Sequence, residues 1–177
     1  MVLKNEANSK SVKIFELADK NVQIRIRNRK KLKTKTMAES ANEVVTIEVT
    51  VNAPVEKVWE IFSSPEHITQ WNNASEDWYT PKADNDLRPG GKFSSRMEAK
   101  DGSFGFDFSG VYDEVTEHKL IAYTLGDGRK VKIEFEEKDN QTLITESFEA
   151  EKENSVEMQK NGWQAILNNF KKYTEGL

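Results

Sequence analysis

The sequence predicts an α+β domain from about Val44 onward. It has a curved antiparallel sheet of six to seven strands, two short helices after the first strand, and a long C-terminal helix over the concave face. Three observations carry this expectation. Apolar and polar residues alternate in short runs between Val45 and Phe148, and the connections are short enough to force antiparallel pairing. Two proline-initiated helical segments interrupt the runs once, directly after the first of them. The last segment is apolar on one side only, so it must cover something, and the sheet offers the only large apolar surface.

Val45, Ile47, Val49 and Val51 are spaced two apart, the pattern of a half-buried strand. Asn52-Ala53-Pro54 opens the first helix, whose Val55, Val58, Trp59 and Phe62 share a face. Ser64-Pro65 opens the second, with Ile68 and Trp71 on its apolar side. Five strand-like runs follow. Phe93, Ser95 and Met97 lead to a hairpin turn at Lys100-Asp101-Gly102-Ser103. Phe104, Phe106 and Phe108 return and continue past Gly110, where a glycine within a strand points to a bulge or bend. Leu120 to Leu125, then Val131 to Phe135, then Thr142 to Phe148 complete the runs, with turns at Gly126-Asp127-Gly128 and Asp139-Asn140. Asn154 is suited to cap the final helix, with Glu157 three residues on. Val156, Trp163, Ile166, Leu167 and Phe170 lie along one side of it, and Tyr173 nearly so. Gly162 falls mid-helix, at a cost of up to about 1 kcal/mol against alanine, and close approach of another element would account for it.

The chain of 177 residues fits one domain with an extension, residues 1–40 as the extension and 41–177 as the domain. Hydrophobic residues make up 36% and charged residues 32%, which predicts a soluble globular protein. No apolar run approaches the roughly 18 residues of a membrane span, and the charged N-terminus lacks the form of a secretory signal. With no cysteine there is no disulfide and no thiolate site, which predicts a reducing, cytoplasmic setting. Charge is unevenly spread. Residues 1–36 hold 11 Lys or Arg against 3 Asp or Glu, a net +8, which leaves 15 against 27 and a net −12 for the rest. An acidic domain argues against nucleic-acid binding by the domain itself. Within the extension, Val22 to Arg27 alternates like a strand and Arg29 to Lys35 is basic. That run reads as a solvated, poorly ordered tail, or as a contact for nucleic acid or an acidic membrane surface. Met37-Ala38-Glu39-Ser40 reads as an alternative start.

The order of a strand, two short helices, antiparallel strands and a long helix resembles the START-like (SRPBCC) superfamily, also called the helix-grip or birch-pollen-allergen fold. Pro54-Val55-Glu56-Lys57-Val58-Trp59-Glu60-Ile61-Phe62, then Pro65-Glu66-His67-Ile68 and Trp71, resemble the opening of one of its families, the homologues of the activator of heat shock protein 90 ATPase. Asp86-Leu87-Arg88-Pro89-Gly90-Gly91-Lys92-Phe93, Met97, Asp101-Gly102, Gly110-Val111-Tyr112 and Gly162-Trp163 resemble its later landmarks. The resemblance runs from about Val44 to Tyr173 and covers none of residues 1–36.

It implies a cavity for an apolar small molecule, such as a lipid or aromatic metabolite, with no cofactor. Alternation points Phe93, Met97, Phe106, Phe108, Phe135 and Phe148 at the long helix, with Trp163, Leu167 and Phe170 opposite and Trp71 and Trp78 near the mouth. The competing reading of each residue is a filled core. Glu146 alternates with Ile144 and Phe148 and so points inward, where a carboxylate needs a partner or a raised pKa. The alternative for Glu146 is a wet edge. Asp107 falls on the outward phase, and Gln164 and Asn168 on the exposed face of the helix. Catalysis is weakly motivated. His67 and His118, the only histidines, lie in different elements, and there is no Gly-x-Ser-x-Gly elbow, metal motif or phosphate loop. Asp84-Asn85-Asp86 and Asp127-Gly128 read as turns, and Glu76-Asp77 and Glu136-Glu137 as solvated charges. The family name also implies a chaperone partner, but only the short basic segment precedes the domain here. Some START-like proteins act as cyclases or hydrolases, which leaves a cavity enzyme of polyketide cyclase type as a third reading.

Overall fold

Val45, Ile47 and Val51 bury one face of strand β1 (Val44–Val51), and the polar residues between them face outward. The computed structural model describes residues 42–177. The basic extension, its Val22 to Arg27 run and the alternative start at Met37 lie outside the described residues. Pro54, in extended conformation, caps α1 (Val55–Ser63), and Pro65 occupies the first turn of α2 (Pro65–Trp71), where a missing N–H leaves nothing unsatisfied. Six strands follow: β2 (Trp78–Asn85), β3 (Lys92–Ala99), β4 (Gly105–Thr116), β5 (Leu120–Leu125), β6 (Lys130–Lys138) and β7 (Gln141–Glu149). Helix α3 (Val156–Glu175) closes the chain.

The sheet has seven strands, all antiparallel, in the order β1-β7-β6-β5-β4-β3-β2. Each neighbouring pair but β1–β7 is consecutive in the chain. That arrangement leaves β1 and β2 as the edges of a curved sheet. The fold is the helix grip that the residue order resembles, with a strand added to the five runs read after the helices. That strand is β2, whose Pro81, Lys82, Asp84 and Asn85 disguise it. Its edge position explains the composition, since a proline there removes no interior ladder bond, and the register shifts between Tyr79 and Lys82 around it. Asp84 and Asn85 are therefore strand residues, not a turn.

Two expectations about glycine change. The bulge in β4 falls between Tyr112 and Glu114, so that Tyr112 and Val115 both face inward, while Gly110 keeps regular pairing with Phe93 and Leu125. A Cβ at Gly110 would lie 2.8 Å from the Phe93 ring and 2.7 Å from the Thr124 carbonyl oxygen. Gly110 thus serves close approach of a ring, not the bend. Gly162 is the reverse, since a Cβ there would meet nothing within 4 Å. No element crowds α3 at that point.

Helix α3 is capped by Ser155, whose Oγ accepts from Met158 N, and not by Asn154. Asn154 instead donates through Nδ2 to Glu151 Oε1. The C-terminal half of α3 buries Leu167, Phe170 and Thr174. The helix is tied to β1 and the residue after it by Gln164 Nε2 donating to Glu48 O, Lys171 Nζ to Thr50 O, and Asn52 N to Glu175 Oε1. Asn169 Nδ2 donates to Trp71 O and holds α2 against it. Nearer its start α3 exposes more surface, and Met158, Trp163 and Ile166 are only half-buried. No helix among the described residues is long and apolar enough to cross a membrane.

Candidate cavity between the sheet and the last helix

The inward phases of the strands and the N-terminal half of α3 touch at Trp163 but do not close on each other along their length. They enclose a cavity of about 220 Å³. Phe93 and Met97 of β3, Phe106 and Phe108 of β4, Ile121 and Tyr123 of β5, Ile133 of β6 and Glu146 of β7 form the sheet wall. Met158, Gly162, Trp163, Ile166 and Leu167 form the helix wall, and Phe62, Ile68 and Trp71 close one side. Gly162 has its physical account here. The missing side chain leaves cavity space where any other residue would project into it.

Trp163 holds its place by stacking on Phe148, ring centroids 4.3 Å apart and planes 10° from parallel, with Phe108 edge-on at 5.9 Å. Phe93 lies between Tyr123 at 4.8 Å, Tyr112 at 5.2 Å and Phe108 at 5.8 Å. These contacts fix the rings, so that the cavity is walled by aromatic rings that hold one another in place, with Phe148 supporting Trp163 from outside the lining.

The polar groups divide into two sets. One is internally satisfied. Tyr112 donates to Asn85 Oδ1 at 2.7 Å, and Asn85 Nδ2 donates to Ser63 O at 2.5 Å, so the edge strand is locked to α1. Buried Gln159 accepts from Glu151 N and donates to the carbonyls of Glu151 and Asn154, which pins the turn before α3. Arg129 Nε lies 2.8 Å from Asp127 Oδ2 and its Nη1 donates to Glu149 O. The other set is Glu146 and Tyr123. Both are buried, and neither has a hydrogen-bond partner among the described residues. Burial alone pushes the Glu146 carboxyl up to about 8, because the charged form is poorly solvated there. Burial likewise raises the Tyr123 hydroxyl well above its usual value, with the Glu146 charge adding to it.

Of the residues singled out in the sequence, the structure brings Trp71, Phe93, Met97, Phe106, Phe108, Glu146, Trp163 and Leu167 to the cavity. Four do not line it, among them Phe170, which is fully buried in the main core against Phe62 and Trp71. Trp78 sits under the β2–β4 edge in a separate cluster with Met97, Ala99, Phe104 and Phe106. Phe135 packs below α1 against Trp59 and Phe62, both at 5.3 Å. Phe148 is covered by Trp163. Phe135 and Phe148 do face inward, but alternation fixes a face and not the depth along the strand. Tyr123 and Arg129 went unnoticed, although Ile121, Tyr123 and Leu125 alternate as plainly as the other runs. Asp107 is exposed near Arg96, and Gln164 and Asn168 bond to each other on the outer side of α3. His67 lies by Tyr173 and His118 by Trp59, in separate places. Among the described residues no group of His, Asp and Glu is placed to hold a metal ion.

Comparison with known proteins places this geometry. The sequence profile of the family described as Activator of Hsp90 ATPase homolog 1-like protein matches residues 52–175. A solved AHSA1-like protein from Aeromonas hydrophila is 39% identical, with a TM-score of 0.72 over 76% of this chain and 93% of that one. A protein from Cytophaga hutchinsonii is 55% identical, with a TM-score of 0.66 over 75% of this chain and 92% of that one. A protein from Nitrosomonas europaea, 19% identical over 79% of this chain and 97% of that one, shares the fold with a TM-score of 0.65. No curated protein matches the chain. With a profile match across most of its length, and with the strand, helix-pair and long-helix order in place, the chain belongs to the Activator of Hsp90 ATPase homolog 1-like family.

Proposed function

We propose that this protein binds a compact apolar small molecule in the cavity between the sheet and α3. The observation that carries the reading is Gly162. A helix interior tolerates glycine at a cost of about 1 kcal/mol, and here that glycine keeps cavity volume open while touching nothing. Cavity walls of fixed aromatic rings with few polar groups are the usual make-up of a small-molecule site. An apolar cavity of about 150 Å³ accepts a benzene ring, so one of about 220 Å³ suits a two-ring skeleton or a short chain.

The test is an amide chemical-shift titration of the full chain with acetylnaphthalene and with decanoic acid. Saturable shifts centred on Phe93, Phe106 and Trp163 are expected for at least one probe, and Gly162→Leu should abolish them while leaving the folded spectrum intact. Silence toward both probes, or binding that Gly162→Leu does not weaken, would refute the reading. Binding to a heat shock protein 90 chaperone without any cavity shifts would put a co-chaperone role in its place.

A further inference from the structure

Tyr123 and Glu146 are each more than nine-tenths buried, with residue exposures of 6% and 7%. Neither has a hydrogen-bond partner among the described residues, and both line the same cavity. Buried polar groups of this kind are nearly always satisfied, because an unmet one costs about 1–3 kcal/mol. Every other polar side chain discussed at this site has a partner within the protein. Register brings the two together. Glu146 pairs with Ile133, Ile133 pairs with Ile121, and Tyr123 is the next inward residue along β5. Two strand spacings and one two-residue step put their Cα atoms on the order of 12 Å apart. Both side chains reach the same cavity, and the Glu146 charge acts on the Tyr123 hydroxyl.

We propose that the cavity selects a compact ring compound bearing one oxygen acceptor, a ketone or similar carbonyl, held jointly by the Glu146 carboxyl and the Tyr123 hydroxyl. The inference rests on the binding role of the cavity and specifies its ligand. At neutral pH both groups carry their protons, so the pair offers two donors and asks for an acceptor. A hydrocarbon of the same shape would leave both donors unmet. The groups facing Glu146 keep this polarity. Tyr112 on β4 and Tyr123 on β5 are neutral, Arg129 is paired with Asp127, and Glu151 accepts from backbone N–H groups after β7. The two short helices and α3 contribute no titratable group to the cavity.

The test compares acetylnaphthalene with isopropenylnaphthalene, in which a methylene group replaces the carbonyl oxygen, by titration of the full chain. The ketone should bind roughly tenfold more tightly, the worth of one to two buried hydrogen bonds. Tyr123→Phe and Glu146→Leu should each reduce that preference several-fold without weakening the hydrocarbon. Raising the pH above 8 should reduce it too, since ionised Glu146 no longer donates. Equal affinity for the two compounds in the unaltered protein would overturn the proposal while leaving the binding role intact, and this comparison needs no variant to fold. Tighter binding of naphthylethylamine than of the ketone would overturn it as well. If none of these compounds binds but decanoic acid does, the proposal falls and the binding role stands; if decanoic acid is silent as well, both fall.

Discussion

Glu146 ties the stability of the folded protein to pH. In the unfolded chain a glutamate titrates near its ordinary value of about 4.3, whereas in the fold it titrates at about 8. Between those values the folded state holds the proton and the unfolded state has released it, so stability falls as pH rises. The loss starts above the unfolded pKa and is complete once pH exceeds about 8. Its size is on the order of 3–5 kcal/mol. Glu146→Gln removes the titration. The variant should therefore be more resistant to urea than the parent at pH 8, with the gap closing toward pH 4.5. Urea midpoints measured across that range check this, and a gap independent of pH would show that Glu146 ionises normally. The inward position of Glu146 was readable from its alternation with Ile144 and Phe148. Its lack of a partner was not, because partners come from other strands.

The two glycines show how elements are shaped for the site. In β4, Gly110 lets the Phe93 ring approach the strand closely, and an added methyl would sit 2.8 Å from that ring. In α3, Gly162 faces the cavity and an added methyl would touch nothing. Gly110→Ala should thus destabilise by about 1–3 kcal/mol, the range of overpacked cores. Gly162→Ala should stabilise by up to about 1 kcal/mol through helix propensity alone. Thermal melting of the pair tests the opposite signs, and a destabilised Gly162→Ala would mean that some group already occupies that space. Most elements were legible because their periodicity is strong and their turns are marked by Gly102, Gly128 and the Asp139-Asn140 pair, all at positive φ. Strand β2 was not legible, since an edge strand needs neither alternation nor the absence of proline. Trp78 shows the matching limit for the site. Expected near the mouth, it begins strand β2, and the strand carries it under the sheet edge instead.

At the scale of the whole molecule, the last helix grips the sheet with its two halves unequally. The half from Leu167 to Thr174 packs into the main core and is bonded to β1 and α2. The half from Val156 to Ile166 spans the cavity, held by the Gln159 bonds, the Trp163–Phe148 stack and one exposed bond from Gln164 to Glu48 O. Local stability follows buried contact, so segments over a cavity open at lower free energy than segments over a core. Amide exchange should therefore be slower at Leu167 through Tyr173 than at Lys160 through Gln164, although all lie within one continuous helix. A ligand that fills the cavity supplies the missing contacts, and its binding favours the closed state by mass action. Saturating acetylnaphthalene should then slow exchange at Lys160 through Gln164 and change the later residues less. Uniform protection along α3 in the free protein would mean that the cavity does not weaken the helix above it, and the grip would then act as one rigid piece.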